Sequence, residues 1–160
     1  MSSTITAIVK ETMPMMVAFI SMKGPYDQIP AAFGKLYGWI TEKGYRPDGP
    51  AMAVYYTIPG QTPEDKSLWE LRSQLLGDVA ATGPDEQGLG VKRVEAVQVV
   101  ATLYKGPYEQ IEETYKALTD WVIENGYEII GPYEELYLND PSETSPEEAL
   151  TEIRFPIHKK

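Results

Sequence analysis

Apolar and polar positions along the chain follow a pattern that occurs twice, at a constant offset of 82 residues. Residues 15–22 and 97–104 are rich in apolar and β-branched side chains, which predicts a strand in each copy. Apolar residues at helical spacing follow each strand and predict an amphipathic helix. These helical positions are Ile29, Ala32, Phe33, Leu36 and Ile40 in the first copy and Ile111, Tyr115, Leu118 and Val122 in the second.

The repeat extends to identical short motifs. They are Lys-Gly-Pro-Tyr at 23–26 and 105–108, Gly-Tyr at 44–45 and 126–127, and Gly-Pro at 49–50 and 131–132. The first motif predicts a strand-to-helix turn, the second a helix end with glycine in the left-handed conformation, and the third a turn into the next strand. So many matches without a gap indicate an internal duplication.

Each copy is therefore predicted to run strand, strand, helix, strand, strand, with strand-helix-strand-strand as the duplicated module. The later strands are predicted at 51–57 and 68–76, and at 133–138 and 149–157. We expect a single domain over residues 1–160, with module 1 at 5–76, module 2 at 91–158 and a polar linker at 77–90. One module alone would leave its sheet half uncovered. The predicted fold class is therefore α+β: one antiparallel sheet formed by both modules, with two helices on one face and a ligand groove on the other.

Strand alternation sorts the side chains of the last predicted strand into two faces. Ile153 and Phe155 should meet the helices, which turns Glu152 and Arg154 toward the groove. Leu136 and Leu138 are expected in the core, which turns the tyrosine between them toward the groove as well. With the repeat-related positions and the tyrosine that ends strand 97–104, the predicted ligand-binding residues are Glu152, Glu70, Tyr55, Tyr137, Tyr104, Arg72 and Arg154.

This set of side chains suits a flat, partly cationic organic ligand. Tyrosine rings offer apolar area and a π face for a cation, and a desolvated glutamate can pair with a ligand amine. Two structural alternatives stay open. The Glu–Arg pairs at a spacing of two are also compatible with exposed ion pairs of little energetic value. Tyr55 and Tyr137 are also compatible with packing beneath a loop. Trp39 and Trp121 are expected to pack between helix and sheet, and Trp69 in the core.

Composition narrows the chemical classes further. The chain carries a net charge of −10, without a basic stripe, which argues against nucleic acid as a partner. It has no cysteine, and its single histidine, His158, lies in the C-terminal tail. Thiolate sites, His-based metal sites, haem and a Ser-His-Asp triad are therefore not expected, and neither is a metal or cofactor of another kind.

The chain shows no targeting signal. Its first residues lack the charged and apolar regions of a signal peptide, and no stretch has the apolar length of a membrane span. A cytoplasmic location without membrane contact is therefore expected.

The doubled motifs, together with the ending Thr151-Glu152-Ile153-Arg154-Phe155-Pro156-Ile157, resemble the GyrI-like, or AraC-type, effector-binding superfamily over residues 5–158. The resemblance implies a duplicated module with a central groove for hydrophobic, often cationic compounds, and Glu152 matches the position of its acidic anchor. Many members of the superfamily carry an N-terminal helix-turn-helix. Because the module begins near Ile5, a stand-alone binding protein is expected here, and a separate protein partner stays open.

Three functions are compatible with these features. The leading hypothesis is sensing or sequestration of amphipathic, aromatic or cationic small molecules, as in multidrug binding. The first alternative is hydrolysis of cyclopropane-type or similar electrophilic toxic compounds, with Glu152 orienting water and Tyr137 polarising the leaving oxygen. The second alternative is inhibition of another protein through the acidic surface. Binding is favoured over catalysis because no catalytic triad or metal set is recognisable.

Overall fold

The computed structural model describes residues 5–58, 61–107, 110–139 and 143–160. Two residues of the second strand-to-helix motif region, Tyr108 and Glu109, lie outside the described residues. The chain forms two compact units. The first unit comprises Met13–Ala96, and the second comprises Met1–Thr12 together with Val97–Lys160.

Strands and helices follow the predicted repeat closely. In chain order the elements are β1 (Ile8–Glu11), β2 (Met15–Lys23), α1 (Ile29–Lys43), β3 (Pro47–Tyr55), β4 (Leu68–Leu75), β5 (Leu89–Val94), β6 (Gln98–Lys105), α2 (Glu112–Glu124), β7 (Tyr127–Ile129), β8 (Tyr133–Tyr137) and β9 (Leu150–Lys159). Every described pair of neighbouring strands within a unit is antiparallel.

The first unit is a four-stranded sheet with α1. Its strands lie in the order β3, β4, β2, β5. The register of β3 against β4 shifts between Pro47 and Ala51, and Gly49 between them has a φ of 133°. The expected Gly-Pro turn at 49–50 is thus an irregularity within a longer strand, where glycine tolerates the left-handed backbone.

The second unit repeats this arrangement with α2. Its strands lie in the order β1, β6, β9, β8, and the short β7 pairs with the far end of β9. The side chains of Ile153, Phe155 and Ile157 form a buried cluster with Leu118 and Val122 of α2. The alternation of apolar residues in β9 therefore identifies the face that meets the helix.

Each helix ends close to its Gly-Tyr motif, as the sequence predicts. Gly44 has a φ of 76° and caps α1, donating its backbone N–H to the carbonyls of Ile40 and Thr41. Gly126 has a φ of 77° and follows the last residues of α2. A glycine adopts this left-handed conformation without the steric cost of a Cβ atom. The conformation ends the helix and turns the backbone toward the next strand.

The compact units differ from the predicted modules in their first strands. β1 pairs with β6 of the second unit, while β5, its repeat counterpart, pairs with β2 of the first unit. The expected linker at 77–90 also belongs to the first unit, and Thr82 within it forms a bridge with Val91. The sequence repeat and the compact units are therefore offset by one strand.

The overall class agrees with the expectation from sequence. The chain is α+β, with antiparallel sheet and one long helix in each of two repeated units, which confirms the predicted duplicated fold. None of the described helices has the length and apolar character needed to span a bilayer.

Candidate functional site

Glu152 and Arg154 lie on the face of β9 that points away from α2. Alternation in the strand separates them from Ile153 and Phe155, as expected. The Arg154 Nε donates to a Glu152 oxygen, and the Lys10 Nζ lies 3.1 Å from the same oxygen. Glu152 is thus held between two cations within its own unit.

Glu70 and Arg72 form the matching arrangement in the first unit. The Arg72 Nε donates to one Glu70 oxygen, and the Lys92 Nζ lies 2.8 Å from the other. The Lys92 Nζ also lies 4.6 Å from the ring centre of Phe19. We call the two clusters, Lys10–Glu152–Arg154 and Lys92–Glu70–Arg72, the charge triads.

These pairings shift two pKa values within the triads. Burial raises the pKa of Glu152, but the hydrogen bond and charge of Arg154, and then those of Lys10, outweigh burial and leave that pKa below its ordinary value. For Arg72, burial lowers the pKa, but the charge and hydrogen bond of Glu70, and then those of Tyr56, outweigh burial and leave that pKa above its ordinary value. Glu152 and Arg72 are therefore both charged at neutral pH.

The two lysines of the triads were not among the predicted site residues. Their signal was present in the sequence, because Val9-Lys10 and Val91-Lys92 are related by the same offset of 82. Lys10 faces Glu152 across the strand that lies between them, β6, and Lys92 faces Glu70 across β2. Only strand order brings these residues together, so the spacing alone could not assign them.

The predicted groove tyrosines lie on the opposite face. Tyr137 pairs with Thr151, and Leu136 pairs with Glu152, so Leu136 rather than Tyr137 shares the face of Glu152. In the first unit Tyr55 pairs with Trp69. Tyr104 also pairs with Thr151. All three tyrosines therefore lie on the helix-side face, which corrects their expected position beside the glutamates.

The error arises from the assumption that Leu136 and Leu138 form the core side of their strand. Leu138 is 40% exposed, while Glu134, Glu135 and Leu136 are all buried. Because this strand buries both of its faces, polarity does not reveal which face meets the helix. The proposed catalytic pair, Glu152 with Tyr137, is likewise divided between opposite faces of the sheet.

On the helix-side face of the second unit, two tyrosines hydrogen-bond a buried carboxylate that the sequence analysis did not select. Glu135 is 7% exposed. One of its oxygens accepts a hydrogen bond from Tyr115 of α2, and the other accepts one from the Tyr137 hydroxyl at 2.9 Å. We call Glu135 with Tyr104, Tyr115, Tyr133 and Tyr137 the tyrosine cluster.

Two further tyrosines complete this face. Tyr133 stacks on Phe155 with ring centres 4.5 Å apart, and burial raises the pKa of the Tyr133 hydroxyl. Tyr104 donates its hydroxyl proton to the Pro107 carbonyl. Both rings are half-buried, as are those of Tyr115 and Tyr137. The face thus combines one carboxylate with aromatic walls that solvent partly reaches.

Thr151 lies between Tyr104 and Tyr137 on this face. Its side chain is fully buried, and within the described part of the chain its Oγ1 has no hydrogen-bond partner. Such an orphaned polar atom is uncommon in a protein interior and calls for an explanation.

The same positions in the first unit have a different composition. Glu135, Tyr115 and Tyr133 are replaced there by Ala53, Phe33 and Ala51. The place of Thr151 is taken by Trp69, which is 1% exposed and donates its Nε1–H to the Gly24 carbonyl at 2.9 Å. At these positions the helix-side face of the first unit is therefore apolar, and that of the second is polar and aromatic.

The acidic and histidine side chains were also considered as metal ligands. Among the residues that the structure describes, no three acidic or histidine side chains come together as a metal would require.

The low pKa of Glu152 predicts a pH-dependent contribution to stability. A lowered folded pKa stabilises above the ordinary glutamate pKa, and this stabilisation is lost as the pH falls through the folded value. We expect Glu152→Gln to cost about 1 kcal/mol at neutral pH, because the exposed Lys10 is screened by solvent. The difference from wild type should shrink toward pH ~3 in urea unfolding.

The exposed Lys105–Glu148 pair supplies the control for this measurement. Glu148→Gln should leave stability nearly unchanged at every pH, since exposed pairs contribute little. A difference between wild type and Glu152→Gln that stays constant from neutral to acid pH would contradict the lowered pKa.

Comparison with known proteins places this architecture in a family. A model of the GyrI-like small molecule binding domain matches residues 8–76 and again residues 70–158. Among curated proteins, none matches the sequence. Structural comparison, by contrast, finds clear neighbours.

One such neighbour is EcmrR. The cryo-EM structure of its complex with DNA superposes with a TM-score of 0.83 at 20% identity, covering 98% of this chain and 58% of the EcmrR chain. The crystal structure of the EcmrR C-terminal domain gives a TM-score of 0.78 at 22% identity, covering 99% and 100%. The protein thus spans little more than half of the DNA-bound EcmrR chain and all of its C-terminal domain.

Two other neighbours share the fold. A hydrolase from Listeria innocua has a TM-score of 0.72 at 18% identity, covering 95% of this chain and 91% of the other. SAV2435 bound to tetraphenylphosphonium has a TM-score of 0.61 at 11% identity, covering 96% and 94%. These identities establish a common fold alone. Since the family model accounts for both repeats, the chain belongs to the GyrI-like small molecule binding domain family.

Proposed function

We propose that the protein binds amphipathic aromatic cations at the tyrosine cluster of the second unit, in order to sense or sequester them. The observation that carries this proposal is Glu135, a buried carboxylate that accepts hydrogen bonds from Tyr115 and Tyr137. Hydroxyl donors favour the ionised form of a carboxylate. A buried carboxylate beside aromatic rings suits a cation that brings its own apolar surface.

The surrounding rings add to this attraction. Tyrosine faces carry negative π density, and each cation–π contact contributes about 0.5–2 kcal/mol. Tyr104, Tyr115, Tyr133 and Tyr137 are all half-buried, so their rings can exchange contact with water for contact with a ligand. An aromatic cation would satisfy both the charge and the apolar walls.

The charge triads offer two further carboxylates for a ligand cation. Glu152 and Glu70 each contact an arginine and a lysine of their own unit. A ligand cation would have to displace these existing partners. Glu152 is nevertheless the acidic anchor that the resemblance to the superfamily implies, so the experiment compares Glu135 and Glu152 directly.

Titration of tetraphenylphosphonium into wild type, Glu135→Gln and Glu152→Gln by calorimetry tests the proposal. This cation is the ligand bound to SAV2435, which shares the fold. Glu135→Gln should weaken binding by about 10- to 100-fold, because this is the change in affinity expected when one charge-assisted contact is lost. Glu152→Gln is the matched control and should bind within about twofold of wild type.

Circular dichroism of each variant separates loss of binding from loss of fold. If Glu152→Gln weakens binding and Glu135→Gln does not, the ligand lies on the face of the charge triads and the proposed site is wrong. If wild type does not bind tetraphenylphosphonium, the preference for aromatic cations is wrong.

Hydrolysis of an electrophilic small molecule is a second candidate at the same site. Its specific support is the hydrogen bond of 2.9 Å from the Tyr137 hydroxyl to Glu135, because a phenol beside a carboxylate can donate or accept a proton. Turnover of a strained cyclopropane-bearing substrate, lost in Tyr137→Phe, would support catalysis. Binding of such a compound in a one-to-one ratio without product would assign binding alone.

A further inference from the structure

One face of the second unit carries two mostly buried carboxyl groups. We call this face, which lies opposite α2 and carries Glu152, Arg154 and Lys10, the triad face. On it Leu136 pairs with Glu152, and Glu134 pairs with Arg154. Residues directly opposite each other in antiparallel strands are neighbours, with Cβ atoms about 4.5–5.5 Å apart. Arg154 therefore has Glu152 beside it on its own strand and Glu134 across from it.

The first unit has the same triad without the second carboxyl group. Met52 takes the place of Glu134 there and pairs with Arg72. Two basic side chains and one carboxyl group give the first cluster a formal charge of +1, whereas two of each give the second cluster a formal charge of zero. Without its lysine, the first cluster would be neutral and the second would have a formal charge of −1. Only in the second unit do the carboxyl groups outnumber the arginine.

Lys10 is the more accessible of the two cations in the second cluster. Its side chain is 40% exposed, compared with 13% for Arg154. It lies on the four-residue strand β1, which among the described strands pairs with β6 alone. Lys10 pairs with Val99 of β6 and Glu152 with Leu103, so the ammonium reaches Glu152 diagonally across β6. An extended side chain from the sheet edge thus brings an alkylammonium group to a carboxylate, as a separate amine would.

Exposed apolar side chains adjoin this carboxylate. Leu103 lies directly opposite Glu152 and is 59% exposed. Ile8, which shares the face of Lys10, is 57% exposed. Hydrocarbon beside a carboxylate suits an amphipathic amine, whose alkyl part contacts the apolar side chains while its ammonium pairs with the carboxylate. The surroundings of Glu152 therefore fit a ligand amine as well as they fit the lysine.

We infer that Lys10 is a specificity-determining residue: its ammonium fills a site for alkylammonium groups beside Glu152 and thereby keeps amphipathic amines off the triad face of the second unit. Lys92 has no such effect in the first unit, because the cluster there is cationic with its lysine and neutral without it. The inference goes beyond the proposed function, since it concerns the opposite face of the sheet and does not depend on binding at the tyrosine cluster.

Removal of the Lys10 ammonium, with a probe that replaces it, tests the inference. Lys10→Ala deletes the part of the side chain that matches n-propylammonium in size and charge. In protein-observed NMR titrations this probe should bind Lys10→Ala at least about tenfold more tightly than wild type, because a charge-assisted contact becomes available. The backbone amide signals of Leu103 and Glu152 should shift on binding.

Two variants with the same loss of charge serve as controls. Lys105→Ala removes an exposed lysine of β6 that pairs with Glu148, and Lys92→Ala removes the repeat counterpart of Lys10. Both should bind n-propylammonium as weakly as wild type. Lys10→Ala combined with Glu152→Gln should return to wild-type affinity. An equal gain in either control, or a gain that persists after Glu152→Gln, would overturn the inference.

A second substitution guards against loss of the fold. Lys10→Thr removes the same ammonium and introduces a β-branched side chain, which strands favour. Circular dichroism identifies the folded variants. If a folded Lys10→Ala or Lys10→Thr variant shows no saturable binding of n-propylammonium, the site does not exist. If neither variant folds, Lys10 is a structural residue and the inference is equally wrong.

Discussion

Replacing Trp69 with alanine is expected to lower the free energy of unfolding by about 3–5 kcal/mol, the usual cost of removing a large buried aromatic side chain. The Trp69 side chain is almost fully buried and contacts the ring of Tyr26, which in turn packs edge-on against Tyr55. The substitution also removes the hydrogen bond to the Gly24 carbonyl. Chemical unfolding in urea, monitored by circular dichroism, measures the difference.

Two variants make this result specific. Trp69→Phe keeps much of the apolar area but loses the N–H donor, so an intermediate loss of about 1–2 kcal/mol is expected. Leu68→Ala changes the neighbouring residue, which is 45% exposed, and should cost less than about 1 kcal/mol. If Trp69→Ala stays within 1 kcal/mol of wild type, the indole is not a packing element, and its comparison with Thr151 loses its basis.

The second large effect is expected at Glu70. Glu70→Gln removes the charge that neutralises Arg72, whose guanidinium is buried, and leaves the Lys92 ammonium without its carboxylate. Leaving one partner of a buried ion pair uncompensated costs about 3–5 kcal/mol. Urea unfolding at neutral pH measures this loss.

The chain offers a matched control for this substitution. Arg93 and Glu95 form an ion pair with the same spacing of two residues, at 2.6 Å, but both side chains are exposed. Glu95→Gln should therefore change the stability by no more than about 0.5 kcal/mol. Equal losses of stability in Glu70→Gln and Glu95→Gln would mean that burial does not increase the contribution of the Glu70–Arg72 pair. That result would contradict the role described for this charge triad.

The order of elements could be predicted from sequence because local signals repeat. Strand-to-helix turns at the Lys-Gly-Pro-Tyr motifs and helix ends near Gly44 and Gly126 depend on backbone conformations that few residues other than glycine adopt. The faces of β9 were equally clear, since Ile153 and Phe155 alternate with charged residues. Local chemistry sufficed wherever one face of an element is apolar and the other polar.

The faces of β3 and β8 could not be predicted in this way. Met52, Ala53 and Val54 are all buried, as are Glu134 and Glu135, so neither strand has an exposed polar face to orient it. The predicted positions of Tyr55 and Tyr137 failed for this reason. Strand register, which depends on partners distant in sequence, decides the question.

The candidate site depends on contacts that no local pattern contains. Glu135 meets Tyr115 across the helix-sheet interface, and Thr151 meets Tyr104 and Tyr137 across two strand pairs. The sequence did contain one usable signal, namely the positions where the two repeats differ. Trp69 against Thr151 and Ala53 against Glu135 mark the face where one unit has become polar.

The one-strand offset between repeat and compact unit also bears on how the duplication is maintained. A chain divided within residues 77–90 would separate β1 from β6 and β5 from β2, which are pairing partners. Each half would then expose a sheet edge, because the strand that pairs with this edge belongs to the other half. Exposed sheet edges promote aggregation. Neither copy is therefore an autonomous folding module. Both copies must be present in one chain for each sheet to be complete.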